Sequence, residues 1–125
     1  MTPGRLRFVG LTALGIVMGS GAVAQQQVER GSGAVLRWMD RINSETRDIE
    51  IANASAGELG ALRIELGECR YPLGNPSGDA FAYLTIHSDA EPQPLFSGWM
   101  IASSPALSAL EHPRYDIWLL RCTLG

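Results

Sequence analysis

The 125-residue sequence contains no lysine, so arginine supplies all 10 of its basic side chains. Two of these arginines lie before residue 25, and the rest of the chain carries 8 Arg against 13 Asp and Glu, a net charge of −5. Binding to nucleic-acid phosphates requires a basic surface, and electrostatic docking on anionic lipid requires one as well. The charge balance therefore argues against nucleic acid and against an anionic membrane surface as partners.

Long apolar runs are also missing, apart from one near the N-terminus. The run Phe8–Ala24 follows a short arginine-containing stretch and ends in Ala22-Val23-Ala24, which fits the A-x-A cleavage rule. It contains four glycines and falls short of the roughly 20 predominantly apolar residues that a spanning helix needs. Residues 1–24 are therefore predicted to be a signal peptide cleaved before Gln25, with an uncleaved anchor as the alternative. The predicted location is the periplasm, with no membrane span after cleavage.

Cysteine is equally scarce, with only Cys69 and Cys122 in the chain. In an oxidising compartment two cysteines favour a disulfide, and its connectivity is fixed if they pair at all. A bridge that closes a loop of roughly 50 residues would stabilise the fold by about 4 kcal/mol in the chain-entropy model. Redox chemistry by free thiols is the rival interpretation, but the sequence has no C-x-x-C motif.

The remaining sequence predicts an all-β fold. Residues 25–33 show no periodicity and are interpreted as a flexible leader, followed by a single β domain over 34–125. Segments with period-two alternation predict about six strands, at 34–40, 47–51, 61–71, 80–87, 95–101 and 115–122. Gly67 predicts a bulge before Cys69, and Ser104-Pro105 is typical of a helix start, which predicts one short helix over 106–111. The expected architecture is a small antiparallel sandwich or barrel.

A resemblance to a known family covers most of this domain. The strings DAFAYLTI and LFSGWMIASSPALSALEHPRYDIWLLRC, with GAVLRWMDRINSETRDIEI and LGALRIELGECRYP upstream, closely resemble the bacterial family called domain of unknown function 2155. The resemblance implies an exported protein with the same two cysteines and no established activity. It also implies bacteria close to the mitochondrial ancestor, in which the gene can lie beside one for an accessory subunit of respiratory complex I. A periplasm-facing part of such a complex is therefore an implied partner.

The residue types of a serine hydrolase occur close together near the C-terminus: Ser103 or Ser104, His112 and Asp116. Such a hydrolase needs a hydroxyl activated by an imidazole, which a carboxylate orients. The sequence has no G-x-S-x-G elbow, and Ser104 is suited to cap the predicted helix. A small periplasmic hydrolase is therefore the alternative function, and structural roles for these residues are favoured.

The sequence contains few side chains that could bind a metal or a cofactor. Histidine occurs twice, at His87 and His112, and neither belongs to a metal-binding spacing. With both cysteines in a disulfide, Glu111, His112 and Asp116 would give only a partial metal site. We therefore expect no metal and no cofactor. Ligand binding in a barrel mouth is a third alternative, which requires a sizeable apolar pocket.

Aromatic side chains are the most informative group, with eight after residue 24. Most are expected in the core, but an exposed Trp99 or Tyr115 beside the predicted helix would mark an interface. The predicted interface consists of Trp99, Met100, Ser103, Ser104, His112, Arg114, Tyr115 and Asp116, the last residues forming its polar rim. The predicted function is an exported, non-catalytic accessory or scaffold domain that binds another protein of the cell envelope.

Overall fold

The computed structural model describes residues 27–125, and the predicted signal peptide at 1–24 lies outside the described residues. The strands are β1 Val28–Arg30, β2 Gly33–Asp40, β3 Glu45–Ala52, β4 Ser55–Leu59, β5 Leu62–Pro72, β6 Phe81–Ser88, β7 Phe96–Ile101 and β8 Tyr115–Thr123. Within residues 27–125 there is no helix with the length and apolar character needed to cross a membrane.

The strands form two antiparallel sheets around one core. In the five-stranded sheet β5, β6 and β7 are successive neighbours, and both β1 and β4 pair with the other side of β5. The three-stranded sheet has the order β3-β2-β8. The core side chains come from both sheets and include Leu36, Ile64, Leu66, Leu84, Ile86, Ile117 and Leu119. The all-β antiparallel prediction is confirmed, whereas the barrel alternative is wrong because no strand pairing within residues 27–125 joins the two sheets.

Two register irregularities bring the cysteines together. Leu66 and Cys69 are both buried, although residues three apart on a regular strand face opposite ways. The register of β5 against β6 shifts between them, which confirms the predicted bulge. On β8 a similar register shift, in its pairing with β2, brings Leu119 and Cys122 to one face. The two sulfur atoms lie at disulfide distance, 2.07 Å, and join a central strand of one sheet to β8 of the other.

The chain from residue 28 to residue 33 differs from the flexible leader that the sequence predicts. β1 pairs with the C-terminal end of β5, the N–H of Gly31 donates to the carbonyl of Cys69 at 2.7 Å, and the N–H of Ser32 donates to Thr123 at 2.8 Å. A Cβ at Gly31 would lie 2.7 Å from the carbonyl oxygen of Thr123, so glycine allows the chain to cross beside the disulfide. A three-residue strand is too short to show periodicity, which is why the pattern did not predict it.

The predicted short helix over 106–111 is wrong. The N–H of Leu107 donates to the carbonyl of Ser104 at 3.1 Å, and this turn is not continued as a helix. A helix of one or two turns is marginal by itself, and Pro113 prevents its extension. Leu110 is buried but Leu107 is 76% exposed, so only one of the two leucines of this segment packs in the core.

Candidate functional site

The structure gives Ser103, one of the two candidate serines, and the candidate aspartate Asp116 other partners. The Oγ of Ser103 donates to Oδ2 of Asp79 at 2.7 Å, and the backbone N–H of Ser103 donates to Oδ1 of the same carboxylate at 3.0 Å. The carboxylate of Asp116 accepts a hydrogen bond from Nη2 of Arg41 at 2.6 Å. These contacts hold the loop after β7 and the start of β8, and they do not form a hydroxyl–imidazole–carboxylate chain.

The imidazole of His112 is oriented by the backbone. Its Nδ1 accepts the N–H groups of Arg114 at 3.0 Å and Tyr115 at 3.2 Å. An acceptor nitrogen carries no proton, so the neutral ring holds its proton on Nε2. In that tautomer Nε2 is a donor and does not accept a proton from a serine. Within residues 27–125 no three His, Cys, Asp or Glu side chains are brought together in a way suited to a metal ion.

The predicted interface is divided between the two sheets. Trp99 is 37% exposed on the outer face of the five-stranded sheet, but its neighbour Met100 is buried in the core. Tyr115 is also buried and stacks on Trp38 with the ring centroids 5.6 Å apart. Met100 and Tyr115 therefore contribute to the core and offer no surface to a partner.

Arg114, which the sequence analysis places in a polar rim, holds a buried carboxylate. Its Nε and Nη2 donate to the two oxygens of Asp40 at 3.1 and 2.8 Å, and the N–H groups of Ile42 and Asn43 donate to Oδ1. Chiefly through the Arg114 hydrogen bonds, the pKa of Asp40 falls to about 2. Sequence analysis missed this group, because an aspartate between a strand and a turn resembles an ordinary turn residue.

A pair of aromatic rings stands on the solvent side of the five-stranded sheet. The register of β6 and β7 places Tyr83 opposite Trp99, and the rings meet edge to face with centroids 5.5 Å apart. Each residue is 37% exposed. The hydroxyl groups of Tyr83 and Ser97 are hydrogen-bonded at 3.2 Å. The two rings are thus fixed relative to each other while part of their surface remains open to solvent.

The bulge of β5 adds an arginine to this pair. Because Cys69 turns inward, the next residue, Arg70, turns outward, and its guanidinium carbon lies 4.9 Å from the ring centroid of Trp99. The Nε of Arg70 also donates to Glu68 at 2.5 Å, which lowers the pKa of that carboxyl group. Arg70 is therefore held over the indole by a cation–π contact and by an ion pair.

Arg70 and Trp99 line an open cleft of about 370 Å³ together with Val28, Phe81 and Ile101, and Tyr83 stands beside it against Trp99. Val28 contributes a 39% exposed side chain from β1. We call this surface the aromatic face, and define it as Val28, Arg70, Phe81, Tyr83, Trp99 and Ile101.

A polar cleft of about 530 Å³ adjoins the aromatic face on the other side of Tyr83. Arg63, Glu65 and Thr85 line it. The ring nitrogen Nε2 of His87 lies 3.1 Å from Glu65, and this hydrogen bond is the main reason that the pKa of Glu65 is lowered. The outer surface of the sheet therefore joins an apolar half to a charged half.

Sequence analysis named only Trp99 of the aromatic face. The signal for the others was present in β6, where Phe81 and Tyr83 alternate with Leu84 and Ile86. A strand that is apolar on both faces is typical of a central strand buried on both sides. β6 is central in its sheet, but only one of its faces is covered.

Fold and surface together define a small, disulfide-linked, all-β domain with an exposed aromatic face. The chain belongs to the bacterial family DUF2155, described as an uncharacterized protein conserved in bacteria, whose model matches residues 34–122. An uncharacterized protein of Rickettsia prowazekii is 31% identical over an alignment of 87 residues that covers 67% of this chain. The match spans only 56% of that relative's length. No solved structure matches this chain.

Proposed function

We propose that this protein is an exported, non-catalytic accessory domain that binds another protein of the cell envelope through the aromatic face. The observation that carries the proposal is the pair Tyr83 and Trp99, packed against each other and each 37% exposed. Tryptophan, tyrosine and arginine are the side chains most enriched at the energetic centres of protein interfaces. Here all three types form one cluster, because Trp99 contacts both Tyr83 and Arg70.

The geometry of the aromatic face suits a protein partner. Its rings are already fixed by the Tyr83–Trp99 contact and by Arg70, so binding would immobilise few additional side chains. Charged groups at its border, Glu68 beside Arg70 and the pair Glu65–His87, supply a polar rim. An apolar centre with a polar rim is the usual anatomy of a protein interface.

The compartment is part of the proposal. A disulfide between Cys69 and Cys122 is consistent with an oxidising space such as the periplasm. The gene neighbourhood implied by the family resemblance makes a periplasm-facing part of a membrane complex such as complex I the first partner to examine.

The experiment is capture of the partner from native envelope. The full chain, tagged at its C-terminus, is expressed in its own cells, crosslinked, and purified in mild detergent. We expect one defined envelope protein with the wild type and at least about a tenfold loss of it with Trp99→Ala, because truncating a central tryptophan of an interface costs 2 kcal/mol or more.

The matched control is Trp118→Ala, which removes a half-buried tryptophan from β8 of the other sheet. This variant should retain the partner. Equal recovery with Trp99→Ala and with the wild type would contradict the proposed function.

A further inference from the structure

The edge strands of the described domain differ in how they are protected. Edge strands expose backbone N–H and C=O groups, and proteins usually protect them with charges, proline, bulges or short length. β1 has three residues and β4 has five, and β3 and β8 carry charged side chains. β7 is six residues long and has no charged side chain and no proline; its sequence is Phe96-Ser97-Gly98-Trp99-Met100-Ile101. Among the described strands it pairs only with β6.

The register shows which backbone groups point away from β6. The N–H of Ala102 donates to the carbonyl of Ala80 at 2.9 Å, which marks a hydrogen-bonded position next to Ile101. Hydrogen-bonded and non-hydrogen-bonded pairs alternate along an antiparallel ladder, so Ile101, Trp99 and Ser97 direct their backbone groups outward. The carbonyl of Ile101 accepts the N–H of Ser104 at 3.1 Å, as expected for an outward group. Ser97 and Trp99 therefore present donors and acceptors at the edge.

We propose that β7 accepts an extended segment of another protein as an added strand. Backbone hydrogen bonds to Ser97 and Trp99 supply affinity, and alternate side chains of the segment pack beside the indole of Trp99. The inference rests on the proposed function and specifies how the partner binds, because Trp99 belongs to both the aromatic face and this edge.

The charges near the two ends of β7 indicate what kind of segment binds there. Asp89 and Glu91 lie in the exposed loop just before β7, and Asp79 is bonded to Ser103 just after it. An antiparallel pairing of β7 with a second copy would place acidic groups opposite acidic groups, which is unfavourable. A segment with basic residues at both ends meets the opposite charge at each end of the strand. The occupant is therefore an apolar, extended segment of a partner protein flanked by Arg or Lys.

The test uses the full chain and synthetic peptides of alternating valine and threonine with arginine at both ends. Binding should slow amide exchange at Ser97 and Trp99, measured by NMR. The same peptide with glutamate at both ends should bind about tenfold more weakly, because like charges are then juxtaposed. N-methylation of alternate peptide amides leaves the side chains unchanged and should weaken binding about fivefold for each backbone hydrogen bond lost.

A proline at an outward N–H tests the edge from the protein side. Ser97→Pro removes one outward donor and leaves the ladder to β6, since proline is tolerated on the solvent side of an edge strand. It should weaken peptide binding at least about fivefold, the effect of one lost backbone hydrogen bond. The control is Thr46→Pro on β3. The N–H of Asn53 donates to the carbonyl of Ser32, which fixes the hydrogen-bonded positions between β2 and β3 and places the N–H of Thr46 outward. Peptide binding should persist in this variant. Thermal unfolding verifies that both variants fold. If either variant does not fold, the N-methylated peptide still tests strand addition with the unsubstituted protein.

Several outcomes would overturn the inference: no binding of the arginine-ended peptide, equal binding of the glutamate-ended peptide, or full binding of the N-methylated peptide. A dimer of this chain that Ser97→Pro dissociates would assign the edge to a second copy instead. If the captured envelope protein is kept by Ser97→Pro but lost with Trp99→Ala, strand addition fails and the proposed function stands. If both variants keep that protein, the proposed function fails as well.

Discussion

The two sheets each hold a pair of aromatic rings with an arginine beside it, but only one pair is buried. Trp38 and Tyr115 are 3% and 5% exposed and stack with centroids 5.6 Å apart, with Arg114 over the tyrosine. In the other sheet Tyr83 and Trp99 are each 37% exposed, with Arg70 over the indole. Nearly identical chemistry therefore has a structural role on one sheet and is available to a partner on the other.

The difference arises from what covers each pair. The hairpin between β4 and β5 turns at Gly60, whose φ is +58°, and a Cβ there would lie 3.0 Å from Trp38 and 3.1 Å from the hydroxyl of Tyr115. Glycine thus lets the turn close over the buried pair. Among the described residues no corresponding turn covers Tyr83 and Trp99. The face on which a residue lies therefore decides its role more than its type does.

The largest expected effect of a single substitution is on the buried pair. Trp38→Ala should destabilise the domain by about 5 kcal/mol, near the top of the range for truncation of a buried tryptophan, because it leaves a large cavity between the sheets. Urea unfolding measures this loss. Trp38→Phe is the control: it keeps a six-membered aromatic ring in the core and, with the five-membered part of the indole, removes Nε1–H, which has no hydrogen-bond partner in the described part of the chain. A cost for Trp38→Ala as small as that for Trp99→Ala would contradict the distinction between the pairs.

The disulfide is the covalent link between the two sheets, and its loss should cost slightly less. Replacing both cysteines with serine should lower the free energy of unfolding by about 4 kcal/mol, since it releases a loop of roughly 50 residues in the unfolded state. Denaturant unfolding of the oxidised wild type, the reduced wild type and the double variant measures it. The reduced protein and the double variant should agree, and an oxidised protein no more stable than either would refute a stabilising role.

The third expected effect is a dependence of stability on pH, which arises from Asp40 in the three-stranded sheet. The pKa of Asp40 is about 2 in the folded protein against an ordinary 3.8, so its ionised form stabilises the fold above about pH 4. That stabilisation should be lost as the pH falls from about 4 to 2. Asp40→Asn should lower the Tm at pH 7, and its difference from the wild type should shrink towards pH 2. Asp89→Asn in an exposed loop is the control, and a difference independent of pH would contradict the assignment.

Sequence patterns predicted the parts of the fold that depend on local alternation. On β5, Leu62, Ile64 and Leu66 face the core as expected, and the glycine at position 67 located the bulge. β1 and β4 were not predicted, because they are short and acquire their strand conformation by pairing with β5. So few residues leave no clear periodic signal, whether the pairing is with a distant segment, as for β1, or within a hairpin, as for β4.

The candidate site was only partly predictable for a related reason. Trp99 and Tyr115 were both considered for one exposed interface, and of the two only Trp99 is exposed. The register of β8 against β2 instead brings Tyr115 opposite Asp40 and buries it. Arg70 reaches the aromatic face only because the bulge reverses its direction. Which faces remain uncovered depends on how the two sheets pack, and that information is not local.

The smallest expected effect is the coupling energy between Tyr83 and Trp99, which tests whether the two rings already form a fixed pair before a partner binds. A double-mutant cycle of Tyr83→Ala and Trp99→Ala should give a coupling energy of about 0.5–1.5 kcal/mol, as for other edge-to-face aromatic pairs. Each single substitution should cost little stability, because both side chains are already partly in contact with water. The equivalent cycle with Ser97→Ala and Trp99→Ala controls for general changes along β7. Coupling near zero would mean that the two rings do not form a fixed unit before a partner binds, so that the preorganisation argued for the aromatic face would be lost.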